Sequence, residues 1–188
     1  MKSYPCLLAS LVVVQLIGTG CSTSPRPPAS LQQAGSGNVS YWHGDGMVGR
    51  PAVRISISEQ RAYFYKGGHL AGVSLISTGR EGRDTGTGNF HVIQKDKNHE
   101  SSLFGEYVDA NGVVVQKNVD TGKDAMPLGA HYNGAKMPNF MRINAGIGMH
   151  EGYLPGYPAS HGCIRMPAMM AEAFFRSVAV GTPVSIQP

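Results

Sequence analysis

The stretch Ser160-His161-Gly162-Cys163-Ile164-Arg165 determines how the rest of this chain is interpreted. It surrounds a cysteine, and a second histidine, His150, lies upstream of it. The thiolate rather than the thiol is the nucleophile, and a free cysteine has a pKa of about 8.5. A cysteine with histidines within reach is therefore the pattern of a thiol nucleophile with an activating base.

The first residues have the features of an export signal. Lys2 supplies a positive charge, residues 7–17 form an apolar run, and small residues precede Cys21. The run is too short for a stable membrane span, so residues 1–20 are predicted to be a signal peptide. A cysteine at this point resembles the lipobox of bacterial lipoproteins and predicts that Cys21 is lipidated. Gly18 stands where the lipobox usually has leucine, so ordinary signal-peptide cleavage is the alternative.

Processing at this point would leave a single unmodified thiol, that of Cys163, because Cys6 is removed with the signal peptide. No intramolecular disulfide is then expected, although an exported compartment permits one. An unpaired thiol in an exported protein is a candidate for reactivity. The alternative, a buried cysteine acting as a small hydrophobic residue, is disfavoured by the surrounding motif.

Residues 21–40 are rich in Ser, Pro, Gly and Gln and predict a flexible tether. Residues 41–188 are long enough for one domain. The formal net charge of the chain is +4, and the basic residues are spread along it. No run of Lys and Arg contains interleaved aromatic residues, so nucleic acid is not an expected partner. Mild basicity suits residence near an anionic polymer.

Alternating apolar and polar residues, with turn residues between them, predict a mainly β fold with one helix. Strands are predicted at residues 53–57, 61–65, 70–77, 90–93, 113–115, 140–143, 147–150 and 183–187. Between residues 95 and 136 the chain is polar and Gly-rich, and 113–115 is its only predicted strand. The helix is predicted at residues 167–178, where Met170, Ala173, Phe174 and Val178 form a core-facing stripe and Gly181 follows as the stop signal.

The chain resembles the L,D-transpeptidase catalytic domain, the YkuD-like family of bacterial cell-wall enzymes. The family signature is a histidine, a loop, Ser or Thr, His-Gly-Cys, a hydrophobic residue, and Arg or Asn. Here it reads His150, the loop 151–159, and Ser160 to Arg165. Weaker matches are Ser77-Thr78-Gly79, Thr85-x-x-Gly88-x-Phe90 and Gly181-Thr182-Pro183-Val184. The resemblance implies a β-sandwich of mixed sheets with one or two short helices.

The resemblance also implies a role for each residue of the signature. Cys163 is the expected nucleophile and His150 its base, oriented by the backbone carbonyl of Glu151. The alternative is that the carboxylate of Glu151 itself tunes His150. The backbone N–H groups of Gly162 and Cys163 are candidates for the oxyanion hole. His161 is expected to shape the site by hydrogen bonding, and acting as the base is its alternative role.

Four further side chains are candidates for binding substrate. Ser160 is expected to make hydrogen bonds in the turn or the site. Arg165 is a candidate to hold a substrate carboxylate in bidentate fashion, with a structural salt bridge as the alternative. Tyr153 and Tyr157 are candidates to line the cleft, with packing inside their own loop as the alternative.

The function implied by the resemblance is acyl transfer on peptidoglycan. Cys163 would take the acyl group from a stem tetrapeptide, release the terminal D-Ala, and pass the acyl group to an amine. An amine of a neighbouring stem peptide gives a 3–3 cross-link, and a lysine of a protein gives an anchored wall protein. Neither a metal nor an organic cofactor is expected. The expected location is the periplasm, with the lipid on Cys21 holding the protein to the outer membrane.

Three other functions remain open at this stage. The first is an L,D-carboxypeptidase or hydrolase that uses the same cysteine with water as acceptor. The second is a zinc hydrolase with His150, His161 and Cys163 as ligands. The third is a non-catalytic wall-binding lipoprotein that has kept the motif.

Overall fold

The computed structural model describes residues 39–188. The predicted signal peptide, the lipidation site at Cys21 and almost all of the predicted tether lie outside these residues. The described chain contains the following elements: β1 Tyr41–Trp42, β2 Pro51–Ser56, β3 Arg61–Lys66, β4 His69–Leu75, β5 Gly88–His91, β6 Gln94–Val108, β7 Val114–Asp120, β8 His131–Arg142, β9 Gly148–Glu151, β10 Ile164–Met166, α1 Ala168–Ser177 and β11 Pro183–Gln187. Within residues 39–188, no helix is long and apolar enough to cross a membrane.

The strands form two mixed sheets. The six-stranded sheet has the order β1-β4-β3-β2-β11-β5, and the five-stranded sheet has the order β10-β9-β8-β6-β7. One parallel pair occurs in each sheet, β2 with β11 and β9 with β10, and the other pairs are antiparallel. The predicted mainly β fold of mixed sheets with a short helix is therefore confirmed.

Side chains from both sheets and from α1 pack into one core. Strands with alternating apolar residues supply one face each, as Val53 and Ile55 of β2 do, because successive side chains of a strand point to opposite faces. The core includes Met141, Met149, Ile164, Met166, Val184 and Ile186. Burying a side chain of this size stabilises the fold by about 1.5–3 kcal/mol.

Helix α1 begins after Pro167, whose missing N–H costs nothing in the first turn. Its stripe is buried as predicted, and Phe174 packs edge-on against Phe64 of β3 with 4.8 Å between ring centroids. The helix ends earlier than the stop signal, because Val178 is already extended at φ −89° and ψ 151°. Gly181 lies in the following turn with a φ of +93°.

The prediction for residues 95–136 is wrong. This region contains most of β6, all of β7 and the start of β8, which continues to Arg142. β6 is mostly polar, and few of its residues are fully buried, so the apolar alternation that reveals a half-buried strand is missing from it. Its pairing with β8 extends from Gln94 opposite Arg142 to Val108 opposite His131, and backbone hydrogen bonds hold it. The strand predicted at 90–93 is also displaced, to Gly88–His91.

Candidate active site

The parallel pair β9–β10 brings the predicted nucleophile and base together. Arg165 of β10 lies opposite His150 of β9, and Ile164 lies opposite Met149. Met149 and Ile164 are buried in the core, so alternation places His150 and Arg165 on the other face. Cys163 directly precedes β10, two positions from Arg165. The three side chains line one cavity of about 330 Å³.

The His150 imidazole is buried and is held in a single tautomer. Its Nδ1 lies 2.6 Å from the backbone carbonyl oxygen of Glu151. A carbonyl only accepts hydrogen bonds, so Nδ1 carries the proton and Nε2 presents a lone pair. Burial lowers the pKa of His150 to about 4, and the positive charge of Arg165 acts in the same direction. The imidazole is therefore neutral, and able to accept a proton, at pH 7.

Cys163 is the free cysteine of residues 39–188 and is partly buried. Burial raises the pKa of its thiol, while a hydrogen bond from the Gly148 N–H and the charges of Arg142 and Arg165 act against that rise. The thiol lies 3.9 Å from the carbonyl oxygen of Gly146. The resting pair is consequently a neutral thiol and a neutral imidazole rather than a thiolate and an imidazolium.

Ser160 closes the loop that carries the nucleophile. Its Oγ donates to the carbonyl of Cys163 and accepts the N–H of Gly162, with 3.0 Å between donor and acceptor. Gly162 has a φ of +120°, a conformation that L side chains rarely adopt. The Gly162 N–H, one of the two predicted oxyanion donors, thus already has Ser160 as its partner in this structure. The N–H of Cys163 remains as the candidate donor.

A second segment, residues 77–85, supports this loop, and we call it the cradle. Ser77 and Arg165 exchange both backbone hydrogen bonds at 3.0 Å each. The Ser77 hydroxyl donates to the carbonyl of Tyr157 at 2.7 Å. Gly79 is needed within the cradle, since a Cβ there would lie 2.0 Å from the carbonyl oxygen of Arg83.

The cradle also holds the residues just before the nucleophile. The carbonyl of Thr78 accepts the N–H groups of Ala159 and Ser160, and the N–H of Arg80 donates to the carbonyl of Ser160 at 3.1 Å. The only sequence signal for this segment was its match to the Ser-Thr-Gly and Thr-x-x-Gly-x-Phe motifs.

His161 is an exposed residue at the cavity and stacks on Phe104 of β6. The ring centroids are 4.3 Å apart and the planes differ by 15°. The guanidinium of Arg83 lies 5.6 Å from the centroid of the Phe104 ring and forms a salt bridge of 3.1 Å with Asp120. Within residues 39–188, the His161 ring has this stacking contact in place of the expected hydrogen bond. Partial burial lowers the pKa of His161, and nearby arginines act in the same direction.

The candidate substrate-binding residues have different positions. Arg165 lines the cavity, and in the described part of the chain no carboxylate lies within salt-bridge distance of it, which disfavours a structural ion pair. Tyr153 and Glu151 also line the cavity. Tyr157 does not line the cavity, and its backbone carbonyl accepts the hydrogen bond from the Ser77 hydroxyl.

The part of the cavity lining that the sequence does not predict comes from β6 and β8. It consists of residues 101–104 of β6 and 135–137 of β8, and we call it the strand wall. The register of the β6–β8 pair shifts between Glu100 and Gly105, which bends this segment out of the regular ladder. We call β9, β10 and residues 160–163 the nucleophile wall. Phe140 and Arg142 of β8 also line the cavity.

The zinc alternative requires three ligands in one place. Among residues 39–188, no group of three His, Cys, Asp or Glu side chains is arranged to hold a metal ion. His150 has its Nδ1 on a carbonyl oxygen, and the ring of His161 is stacked on Phe104. The donor set proposed for zinc is therefore not assembled in this geometry.

The profile of the YkuD family, described as the L,D-transpeptidase catalytic domain, matches residues 50–186. The chain belongs to this family. The resemblance carried by His150 and by Ser160 to Arg165 is thus confirmed at the level of family and fold. No curated protein matches this L,D-transpeptidase domain significantly.

Solved structures share the fold of this L,D-transpeptidase domain. One is an L,D-transpeptidase from Mycobacterium smegmatis, with a TM-score of 0.56 and 18% identity, covering 74% of this chain and 59% of that one. The C442S mutant of the Enterococcus faecium L,D-transpeptidase has a TM-score of 0.54 and 23% identity, covering 74% and 50%. LdtMt1 in complex with imipenem has a TM-score of 0.55 and 20% identity, covering 73% and 58%. The chain thus spans little more than half the length of these structures, and at these identities the likeness shows the fold alone.

Proposed function

We propose that this protein is a peptidoglycan L,D-transpeptidase that transfers the acyl group of a stem tetrapeptide through Cys163. One observation carries the proposal. His150 is buried and neutral, its Nδ1 is fixed by the Glu151 carbonyl, and it lines the same cavity as Cys163. This arrangement supports His150 as the base for a thiol whose pKa is raised by burial.

The first half-reaction forms a thioester. As Sγ of Cys163 bonds to the carbonyl carbon of the third stem residue, Nε2 of His150 takes the thiol proton. The π electron pair moves to the carbonyl oxygen, and the N–H of Cys163 is the donor proposed to stabilise that oxyanion. When the intermediate collapses, the C–N bond breaks and His150 returns the proton to the amine of the leaving D-Ala.

The second half-reaction transfers the acyl group to an amine. The amine attacks the thioester carbonyl, His150 takes a proton from it, and collapse breaks the C–S bond. Sγ then recovers the proton, so the enzyme is regenerated. One amide bond replaces another, and the balance requires no ATP. A stem-peptide amine as acceptor gives a 3–3 cross-link, and a protein lysine gives an anchored wall protein.

Arg165 is proposed to bind a carboxylate of the donor stem peptide. Its guanidinium is half-buried at the cavity and has no salt bridge among residues 39–188. A planar guanidinium matches a carboxylate with two parallel hydrogen bonds. A free cationic group beside the nucleophile therefore favours an anionic donor.

Mass spectrometry of the protein incubated with a disaccharide-tetrapeptide tests the proposal, beside a Cys163→Ala control. A cross-linked dimer that lacks one D-Ala, absent from the control, is the expected product. Disaccharide-tripeptide alone would show that water is the acceptor and would replace transfer by hydrolysis. Absence of both a Cys163-dependent product and a thioester adduct would overturn the catalytic proposal in favour of a wall-binding role.

A carbapenem offers a second probe of the same site. LdtMt1, which shares the fold, was solved in complex with imipenem. Imipenem is therefore expected to add its mass to this protein through Cys163, and an unchanged mass would count against an acylable thiol. The control is again Cys163→Ala, which removes the proposed site of attachment.

We also propose that the protein acts in the periplasm while held to the outer membrane by a lipid on Cys21. The apolar run before a cysteine at residue 21 supports this location. The expected result is that the protein is found in the outer-membrane fraction and that Cys21→Ala moves it to the soluble periplasmic fraction. Recovery of the unaltered protein from the soluble fraction would contradict lipidation.

A further inference from the structure

Thr85 is a buried hydroxyl that joins the cradle to the nucleophile loop. It is 4% exposed, and its Oγ1 has one hydrogen bond on each side. Oγ1 accepts the N–H of Gly79 at 2.9 Å and donates to the carbonyl oxygen of Gly162 at 2.6 Å. A hydroxyl has a single proton, so the bond to Gly162 uses all the donor capacity of Thr85.

The bond to Gly162 fixes the peptide unit that carries the candidate oxyanion donor. The Gly162 carbonyl and the Cys163 N–H belong to the same planar unit, and residues 39–188 contain no cis peptide bond. In a trans peptide the C=O and N–H point in opposite directions. Holding the carbonyl of Gly162 toward Thr85 therefore aims the N–H of Cys163 away from Thr85.

The other contacts of the loop leave this peptide dependent on Thr85. Ser160 holds the Gly162 N–H and the Cys163 carbonyl, which belong to the peptide units on either side. Gly162 has no Cβ and a φ of +120°, so its own side chain does not restrain the rotation of this unit. Thr85 is not among the residues that line the cavity, whereas Cys163 is. Thr85 therefore holds the nucleophile loop from outside the cavity that Cys163 lines.

We propose that Thr85 is a positioning residue that aims the Cys163 N–H at the oxyanion through its hydrogen bond to the Gly162 carbonyl. The proposal rests on the proposed function of Cys163 as an acyl-transfer nucleophile. It assigns a role to the first residue of the Thr-x-x-Gly-x-Phe motif, no residue of which takes part in the proposed reaction. Loss of one oxyanion donor typically lowers kcat by about 10²- to 10³-fold.

The test compares two reactions of the same thiol in Thr85→Val. Acylation by p-nitrophenyl acetate passes through an oxyanion, whereas alkylation by iodoacetamide displaces iodide and forms none. We expect Thr85→Val to lower the acylation rate by about 10²-fold and to leave the alkylation rate within about threefold of the unaltered protein. Thr85→Ser keeps the hydroxyl and is expected to restore the ratio of the two rates.

Thr182→Val is the matched control for a general loss of stability. Thr182 is also 4% exposed, and its Oγ1 accepts the N–H of Ala179 in the turn before β11. Its ratio of acylation to alkylation is expected to be unchanged at a comparable melting temperature. If Thr85→Val does not fold, Thr85→Ala and Thr85→Ser supply the same comparison.

Two outcomes would overturn the inference. Equal loss of acylation and alkylation in Thr85→Val would show a structural role only, and so would a Thr85→Ser variant as impaired in acylation as Thr85→Val. Because p-nitrophenyl acetate needs no stem peptide, failure of the unaltered protein on tetrapeptide would count against the proposed function alone. An unchanged ratio in Thr85→Val, with normal tetrapeptide turnover, would count against Thr85 alone.

Discussion

The two walls of the cavity are built in different ways. The nucleophile wall is backed by Met149, Ile164 and Met166, which are completely buried. The cradle also holds it, through backbone hydrogen bonds. The strand wall belongs to a mostly polar ladder, and Leu103 within it is 53% exposed. Dense packing resists displacement, whereas exposed strand segments have few neighbours to restrain them. We infer that packing against the core fixes the positions of Cys163 and His150, whereas the strand wall can change its conformation without moving them.

The largest expected effect tests whether the chemistry belongs to the nucleophile wall. Cys163→Ala removes the thiol, and turnover is expected to fall by about 10⁴-fold or more. The melting temperature is expected to change little, because the side chain is only partly buried and small. Tetrapeptide turnover and thermal unfolding measure the two quantities. Residual turnover within tenfold of the unaltered protein would place the nucleophile elsewhere.

The second prediction concerns how the stability of the nucleophile wall depends on pH through the buried His150. The pKa of His150 is about 4 in the folded protein and about 6.5 when unfolded, so the unfolded chain binds more protons between these values. Stability is therefore complete above pH 6.5 and is lost as pH falls toward 4, by about 3 kcal/mol from this residue. Denaturant unfolding of His150→Gln beside the unaltered protein isolates this contribution, since the carboxylates are common to both. Identical pH profiles would contradict the buried neutral imidazole.

A smaller effect concerns substrate binding beside the nucleophile. Arg165→Met keeps an apolar stem but loses the guanidinium, so the KM for a tetrapeptide donor is expected to rise by about 10- to 100-fold. Arg165→Lys keeps the charge without the planar fork and is expected to be intermediate. Acylation by p-nitrophenyl acetate, which has no carboxylate, is the control. Its rate is expected to change less than the KM, because there only the effect of the Arg165 charge on Cys163 and His150 is lost. An unchanged KM would remove Arg165 from the donor site.

The smallest effect is expected on the strand wall. Phe104→Ala removes the stacking contact with His161, which is worth about 0.5–1.5 kcal/mol in aromatic pairs. Turnover is expected to fall by only about 2- to 10-fold. Alkylation of Cys163 by iodoacetamide is expected to be unchanged, because the cradle holds the nucleophile loop by backbone hydrogen bonds in which Phe104 takes no part. Phe104→Tyr, which retains a ring, is the control. A fall in alkylation equal to the fall in turnover would show that the strand wall also positions the nucleophile.

The sequence predicts the elements that bury one face and the residues that carry the signature. β2, β3, β11 and α1 were found close to their predicted bounds because apolar periodicity marks each of them. The local motif predicts Cys163 and His150, and both line one cavity because β9, which carries His150, pairs with β10, which directly follows Cys163.

Other parts of the site leave no such pattern in the sequence. β6 is polar on both faces, so its pairing with β8 is specified by backbone groups that every residue has. The cradle likewise contacts the nucleophile loop mainly through backbone hydrogen bonds between segments about 80 residues apart. A small motif match at Thr85 was the only trace of its contact with Gly162. The hydrogen bond from the Gly162 N–H to Ser160 likewise depends on a local turn that the sequence does not reveal.

The position of β11 has a consequence for how the molecule is assembled in time. Although β11 follows every other described strand in sequence, it is inserted between β2 and β5, parallel to β2 and antiparallel to β5. A chain that emerges N-terminus first cannot complete the six-stranded sheet until β11 has been released. Such distant pairings form slowly, because the long connecting chain must lose its freedom before they are made. Closure of the six-stranded sheet therefore waits for a pairing between segments about 130 residues apart, and we expect it to be a late step of folding.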